Sequence, residues 1–105
     1  MTRIIWTRPA LDDLADILAY VQARSRQGAA TIATRVEEAL ASIVTFPRAN
    51  RLNNETGSYE CVLRGVPLLL IYELVSAGPD DVRAEIIAVF HTSRDPDTKP
   101  GRRDW

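Results

Sequence analysis

The stretch from Val66 to His91, VPLLLIYELVSAGPDDVRAEIIAVFH, constrains the fold more than any other part of the chain. Pro67 to Val75 is an almost unbroken apolar run, which predicts a strand covered on both faces and lying in the middle of a sheet. Ser76, Gly78, Pro79, Asp80 and Asp81 interrupt it with turn-forming residues, and Arg83 to His91 resumes as a second strand carrying EIIAVFH. Just beyond stands HTSRD, His91 to Asp95, where an imidazole and a guanidinium leave the end of a buried element together. A functional site is expected there.

Taken in order, Arg3 to Thr7 (RIIWT) reads as a strand and Pro9 as the first position of a helix, with Asp12 and Asp13 complementing the positive end of its dipole. Leu11, Leu14, Leu18 and Val21 recur at helical spacing and predict the sheet-facing side. Ala10, Ile17 and Tyr20, with Arg24 below them, form a second stripe: either a widening of the core face or a groove for a partner helix. Ser25 to Gly28 is a polar break. Ala29 to Phe46 is a second amphipathic helix through Ile32, Val36, Leu40 and Ile43, ended by Pro47. Helices joined this tightly form an antiparallel hairpin. Pro47 to Ser58 reads as loop, with Arg48 and Arg51 as anion contacts or solvated charges. Tyr59 to Leu63 is a strand, and Arg64-Gly65 turns into the central one. The order βααβββ predicts an α+β fold, an antiparallel sheet packed against an α-helical hairpin. Residues 1–96 form the single domain expected, and 97–105 a polar C-terminal tail.

Composition removes several function classes. The chain has 105 residues, 46% hydrophobic and 26% charged, which suits one globular core, and its formal charge of −1 supplies no positive field to draw it onto nucleic acid. A helix-turn-helix reader of DNA is disfavoured by the same neutrality and by the polar break between the helices. The single Cys61 cannot form an internal disulfide and, within a strand, reads as a small buried filler. No secretory signal or apolar stretch of membrane-spanning length stands out, so a reduced, cytoplasmic setting is expected. No phosphate-binding glycine loop, nucleophile elbow or Cys/His metal spacing occurs, and no cofactor or metal is expected. The acid pairs Asp12/Asp13, Glu37/Glu38 and Asp80/Asp81 read as solvated faces and caps.

What remains is Glu60, Arg64, Tyr72, His91 and Arg94. An imidazole for proton transfer beside guanidinium groups suits metal-free RNA cleavage by attack of a 2′-hydroxyl. The other reading makes His91 a strand-end residue bonded to backbone and Arg64 a turn residue. In the tail, Lys99, Arg102 and Arg103 gather positive charge before Trp105, either as an aromatic anchor for a partner or as an unordered end.

The order of these elements and their wording resemble the ParE/RelE superfamily of bacterial type II toxins. The resemblance runs from IIWTRPALDDLADILAYV through the second helix ending in FP to YECVLRGVPLLLIYELV and EIIAVFHTSRD, everything but the tail. It rests on the Trp-Thr start followed by Ala10, Asp13-Leu14, Ile17 and Tyr20, and on the Arg64-Gly65-x-Pro67 turn. The resemblance implies a toxin neutralised by an antitoxin encoded beside it, whose C-terminal segment wraps the toxin in a hetero-oligomer, with Ile17, Tyr20, Glu60, Tyr72 and Trp105 as partner contacts. RelE-like members cut messenger RNA on the ribosome; ParE-like members poison DNA gyrase and are not known to act as enzymes. This chain has Tyr59 where many relatives place an arginine before the glutamate, Leu68 and Leu69 where an aromatic often follows the proline, and Thr92 where glycine is common. These departures favour the ParE-like reading, a gyrase inhibitor. Under the RelE-like alternative Arg64, His91 and Arg94 would be catalytic, and a third reading is an inactive antitoxin-binding module.

Overall fold

The computed structural model describes residues 2–92. Their elements run β1 (Thr2–Trp6), α1 (Arg8–Gln22), α2 (Arg26–Thr45), β2 (Arg51–Asn53), β3 (Ser58–Val62), β4 (Leu68–Gly78) and β5 (Asp81–His91). The strands form one sheet in the order β1-β5-β4-β3-β2, with the apolar run of β4 at its centre. β4 and β5 pair antiparallel from Gly78 opposite Asp81 to Leu68 opposite His91. The domain boundary expected at residue 96 lies outside the described residues.

The α+β class and the helical hairpin stand, while two details differ from βααβββ with a wholly antiparallel sheet. First, β1 pairs with β5 in parallel, Thr2 opposite Val82 through Trp6 opposite Ile86. A strand's residue pattern records which faces are buried and carries nothing about the direction of its neighbour. Second, the loop read from Pro47 to Ser58 contains β2, a three-residue edge strand antiparallel to β3. One apolar residue, Leu52, is too little to show an alternation. Turn chemistry closes this hairpin instead: the Asn53 side-chain oxygen accepts from the N–H groups of Glu55 and Thr56 (3.0 and 3.4 Å), the Gly57 N–H donates to the Asn53 carbonyl (2.8 Å), and Gly57 takes φ 75°.

The sheet joins the helices through Thr7. Its N–H and hydroxyl both donate to the Ile86 carbonyl (3.1 and 2.6 Å), and the same hydroxyl oxygen accepts from Ala10 N–H as the cap of α1. Ser25 caps α2 in the same way, accepting from Gly28 N–H at 2.9 Å. The main core lies on the helix side of the sheet, built from Ile17 of α1, Ile32, Val36 and Ile43 of α2, Leu68, Leu70 and Tyr72 of β4, and Ala84, Ile86 and Val89 of β5. Ile71, Ala88 and Phe90 form a smaller buried cluster with Leu69 and Ile87, and the cross-strand register puts it on the second face of the sheet. The unbroken apolar wording of β4 therefore has a residue for each face.

α1 sits one residue further round than its leucines suggest. Ala10 and Ile17 are buried with Leu14, Leu18 and Val21 packed against them, whereas Leu11 is 44% exposed. Asp12 and Asp13 also correct the dipole reading, since the first turn of α1 carries no acid. Asp12 pairs with Arg8 in solvent, and the Asp13 carboxylate accepts from the Val89 N–H at 3.0 Å. That bond lies beside a β-bulge: Ile71 opposes Ala88 while Tyr72 opposes Ile86, which leaves Ile87 without an opposite residue.

Candidate functional site

Two of the three residues expected to act together reach the same end of the sheet. His91 closes β5 opposite Leu68, and Arg64 stands in the turn whose Leu63 N–H donates to the Leu68 carbonyl at 3.0 Å. Arg94 lies outside the described residues. The two side chains have different surroundings. His91 meets α1, its ring 6.3 Å from that of Tyr20 with planes at 71°, an edge-to-face contact. Tyr20 also carries the Arg24 guanidinium 3.7 Å over its ring, and that guanidinium donates to the Tyr20 carbonyl at 3.0 Å. Tyr20 thus carries Arg24 over its ring and His91 at a ring edge, where the end of α1 meets the end of β5.

The other expected contact residues divide by burial. Ile17 is 4% exposed and Tyr72 is 0% exposed, so neither offers a surface anchor in this conformation. Ile17 fills the helix–sheet seam. Tyr72 donates its phenol to the Pro47 carbonyl (2.6 Å), accepts from the Asn50 amide (3.0 Å) and stacks on Tyr59. Burial raises its pKa, and the Asn50 bond opposes that shift. Glu60 is held by Asn53 at 3.1 Å and faces Arg51 at 4.0 Å. It stands opposite Ile71, on the second face, whereas Arg64 lies beyond the end of β3 and lines the recess beside α2, although counting by two from Glu60 would put both on one face. β3 ends at Val62, and the turn that follows breaks the alternation. Trp105 lies outside the described residues.

A recess of about 300 Å³ opens between α2 and β3. It is lined by Arg35, Glu38 and Ser42 from α2, Asn50 from the loop, Cys61 from β3 and Arg64 from the turn, among others. Gly65 takes φ 75° and brings the turn against Arg35: a methyl group in place of its hydrogen would sit 3.9 Å from the Arg35 Nε. Arg35 binds Glu38 through Nη1 at 3.1 Å, while its Nε is buried with no hydrogen-bond partner among the described residues. Cys61 is buried, and burial pushes its thiol above the ordinary range. Sequence reasoning passed over Arg35 and Glu38 because polar residues on an amphipathic helix read as solvated face; only the packing of the turn against α2 shows that they border a recess. Among the described residues, no three His, Cys, Asp or Glu side chains converge as metal ligands, and no helix is long and apolar enough to cross a membrane.

Comparison with known proteins follows from this geometry. Residues 4–96 match the family model described as ParE toxin of type II toxin-antitoxin system, parDE. A Sinorhizobium fredii protein described as "Putative toxin Y4kP" is 30% identical over 89 residues, covering 85% of this chain and 86% of the relative. Among solved structures, one titled "Chromosomal ParDE TA system from P. aeruginosa" superposes with a TM-score of 0.64 at 19% identity, covering 82% of this chain and 94% of that one. The structural likeness bears on the fold, two helices on a five-stranded mixed sheet.

Proposed function

The chain belongs to the ParE toxin family of type II toxin-antitoxin systems, and from that premise we propose that it inhibits DNA gyrase in the cytoplasm by binding it and is held inactive by an antitoxin encoded beside it. The observation that supports binding over RNA cleavage is the setting of His91. A general base for a 2′-hydroxyl needs an imidazole nitrogen within hydrogen-bond reach of the substrate and a guanidinium beside the phosphate. His91 is half-buried with its ring edge-on to Tyr20 of α1, and Arg64 lines the recess beside α2, so the two side chains have different neighbours. Arg24 lying over the Tyr20 ring, with His91 at the edge of that ring, presents contact chemistry where α1 meets the end of β5, the kind of surface on which a partner segment docks.

Two parallel assays on the purified chain, released from its antitoxin, test this reading. One follows gyrase supercoiling with a check for cleaved DNA; the other follows ribosome-dependent cleavage of messenger RNA. Inhibited supercoiling with intact messenger RNA is expected. Cleaved messenger RNA with unaffected gyrase would reverse it and make Arg64, His91 and Arg94 the residues to substitute first.

A further inference from the structure

We propose that the recess between α2 and β3 is a receptor for one carboxylate, an aspartate or glutamate side chain of the antitoxin, gripped between Arg35 and Arg64. The proposal rests on the reading that an antitoxin is the partner of this chain. Three observations carry it. The recess is lined by two guanidinium groups and a single carboxylate, Glu38, so its charged groups sum to one positive charge. Both Glu38 oxygens engage the single Nη1 nitrogen of Arg35, and the Arg35 side chain keeps 34% of its surface exposed, so part of the guanidinium is open to a ligand while its Nε is buried without a partner among the described residues. The turn that carries Arg64 passes beside Arg35 at Gly65, and Arg64 lines the same recess.

An incoming carboxylate matches this arrangement. Arginine presents its donors as a planar fork that fits two carboxylate oxygens. Ser42 and Asn50 add neutral polar groups around the same space. The single positive charge suits a monoanion. A nucleic-acid strand would bring several phosphates into a site already holding Glu38, on a chain whose formal charge is −1.

The test measures the affinity of the full-length chain and its variants for the full-length cognate antitoxin, with melting curves to confirm that each variant folds. Arg35→Gln and Arg64→Gln are each expected to weaken binding about 10-fold or more, the loss of one charge-assisted hydrogen bond. Glu38→Gln is expected to act in the opposite sense and tighten binding about 3-fold, because it removes the carboxylate that competes for Arg35. A merely structural role for the Arg35–Glu38 pair predicts the same sign for both. Alkylation of Cys61 by iodoacetamide in the unaltered protein gives a readout that needs no variant. The thiol lines the recess, and its modification is expected to slow at least 10-fold in the complex at about pH 9. Antitoxin binding that is indifferent to all three substitutions, with Cys61 equally reactive free and bound, would overturn the recess proposal and leave the family reading intact. Failure of the unaltered chain to bind its antitoxin would overturn both. Arg35-dependent binding of a short single-stranded RNA or DNA, with antitoxin affinity unmoved, would replace the carboxylate by phosphate and also overturn the proposal.

Discussion

The phenol of Tyr72, in the middle of β4, donates a 2.6 Å hydrogen bond to the carbonyl of Pro47, the residue at which the helical hairpin gives way to the following loop. This one contact ties the end of α2 to the centre of the sheet, and the Asn50 amide completes it by donating to the Tyr72 hydroxyl oxygen at 3.0 Å. Tyr72→Phe keeps the ring stacked on Tyr59 and removes only the hydroxyl, leaving a carbonyl and an amide to find other partners. A loss of about 1–2 kcal/mol is expected in urea unfolding, with faster amide exchange through residues 48–50. Unchanged stability would mean that solvent already satisfies the Pro47 carbonyl.

Alkaline pH should act through two neighbouring groups. Burial raises the Cys61 thiol and the Tyr72 phenol above their ordinary values of 9.0 and 10.0, so the folded chain holds these protons more tightly than the unfolded chain does. The sign follows from linkage: the unfolded state deprotonates first, and stability present below these values is lost as pH rises through and beyond them. Urea midpoints measured from pH 7 to pH 11 are expected to hold until about pH 9 and then fall. Cys61→Ala should delay the onset and Tyr72→Phe should flatten the later part. A decline that both variants leave unchanged would assign it to other groups.

Asp13 should matter more than an exposed helical acid does. Its carboxylate accepts the Val89 N–H at 3.0 Å, on the stretch of β5 beyond Ile86, the last residue paired with β1. Asp13→Ala is expected to cost about 1–3 kcal/mol and to speed exchange of the Val89 amide; Asp13→Asn, which keeps an acceptor oxygen, should cost less. Equal effects of the two would place the contribution in the charge and not in the hydrogen bond.

Much of this fold was legible because it is written in hydrophobic spacing. The β4–β5 hairpin, both helices and the turn at Arg64-Gly65 all announce themselves through apolar runs, helical periodicity or turn residues. β2 did not, since three residues with one leucine carry no period and the strand depends on the side chain of Asn53. The parallel pairing of β1 was invisible for a different reason, strand direction being a property of topology and not of composition. The candidate site was the least legible part. Whether His91 and Arg64 meet depends on strand register, which their spacing does not carry, and their orientations follow from packing: the ring meets Tyr20, and the guanidinium lines a recess bordered by Arg35, a residue that helical spacing alone assigns to solvent.

The rotation of α1 gives the sharpest comparison between spacing and packing. Leu11 and Ile17 are both apolar, and counting by leucines puts Leu11, Leu14, Leu18 and Val21 on the sheet. In the fold Ile17 is 4% exposed and Leu11 is 44% exposed, because the small side chain of Ala10 lets the helix approach the sheet on the neighbouring stripe. Ile17→Ala should therefore leave a cavity in the helix–sheet seam and cost about 2–4 kcal/mol, whereas Leu11→Ala should cost under about 0.5 kcal/mol. Urea unfolding of the two variants measures the difference directly. The same pair separates stability from recognition: if the outer face of the hairpin receives the antitoxin, Leu11→Ala will weaken that complex without lowering the midpoint of the free toxin. Equal destabilisation by the two substitutions would put Leu11 on the sheet with Leu14, Leu18 and Val21 and remove it from the surface available to a partner.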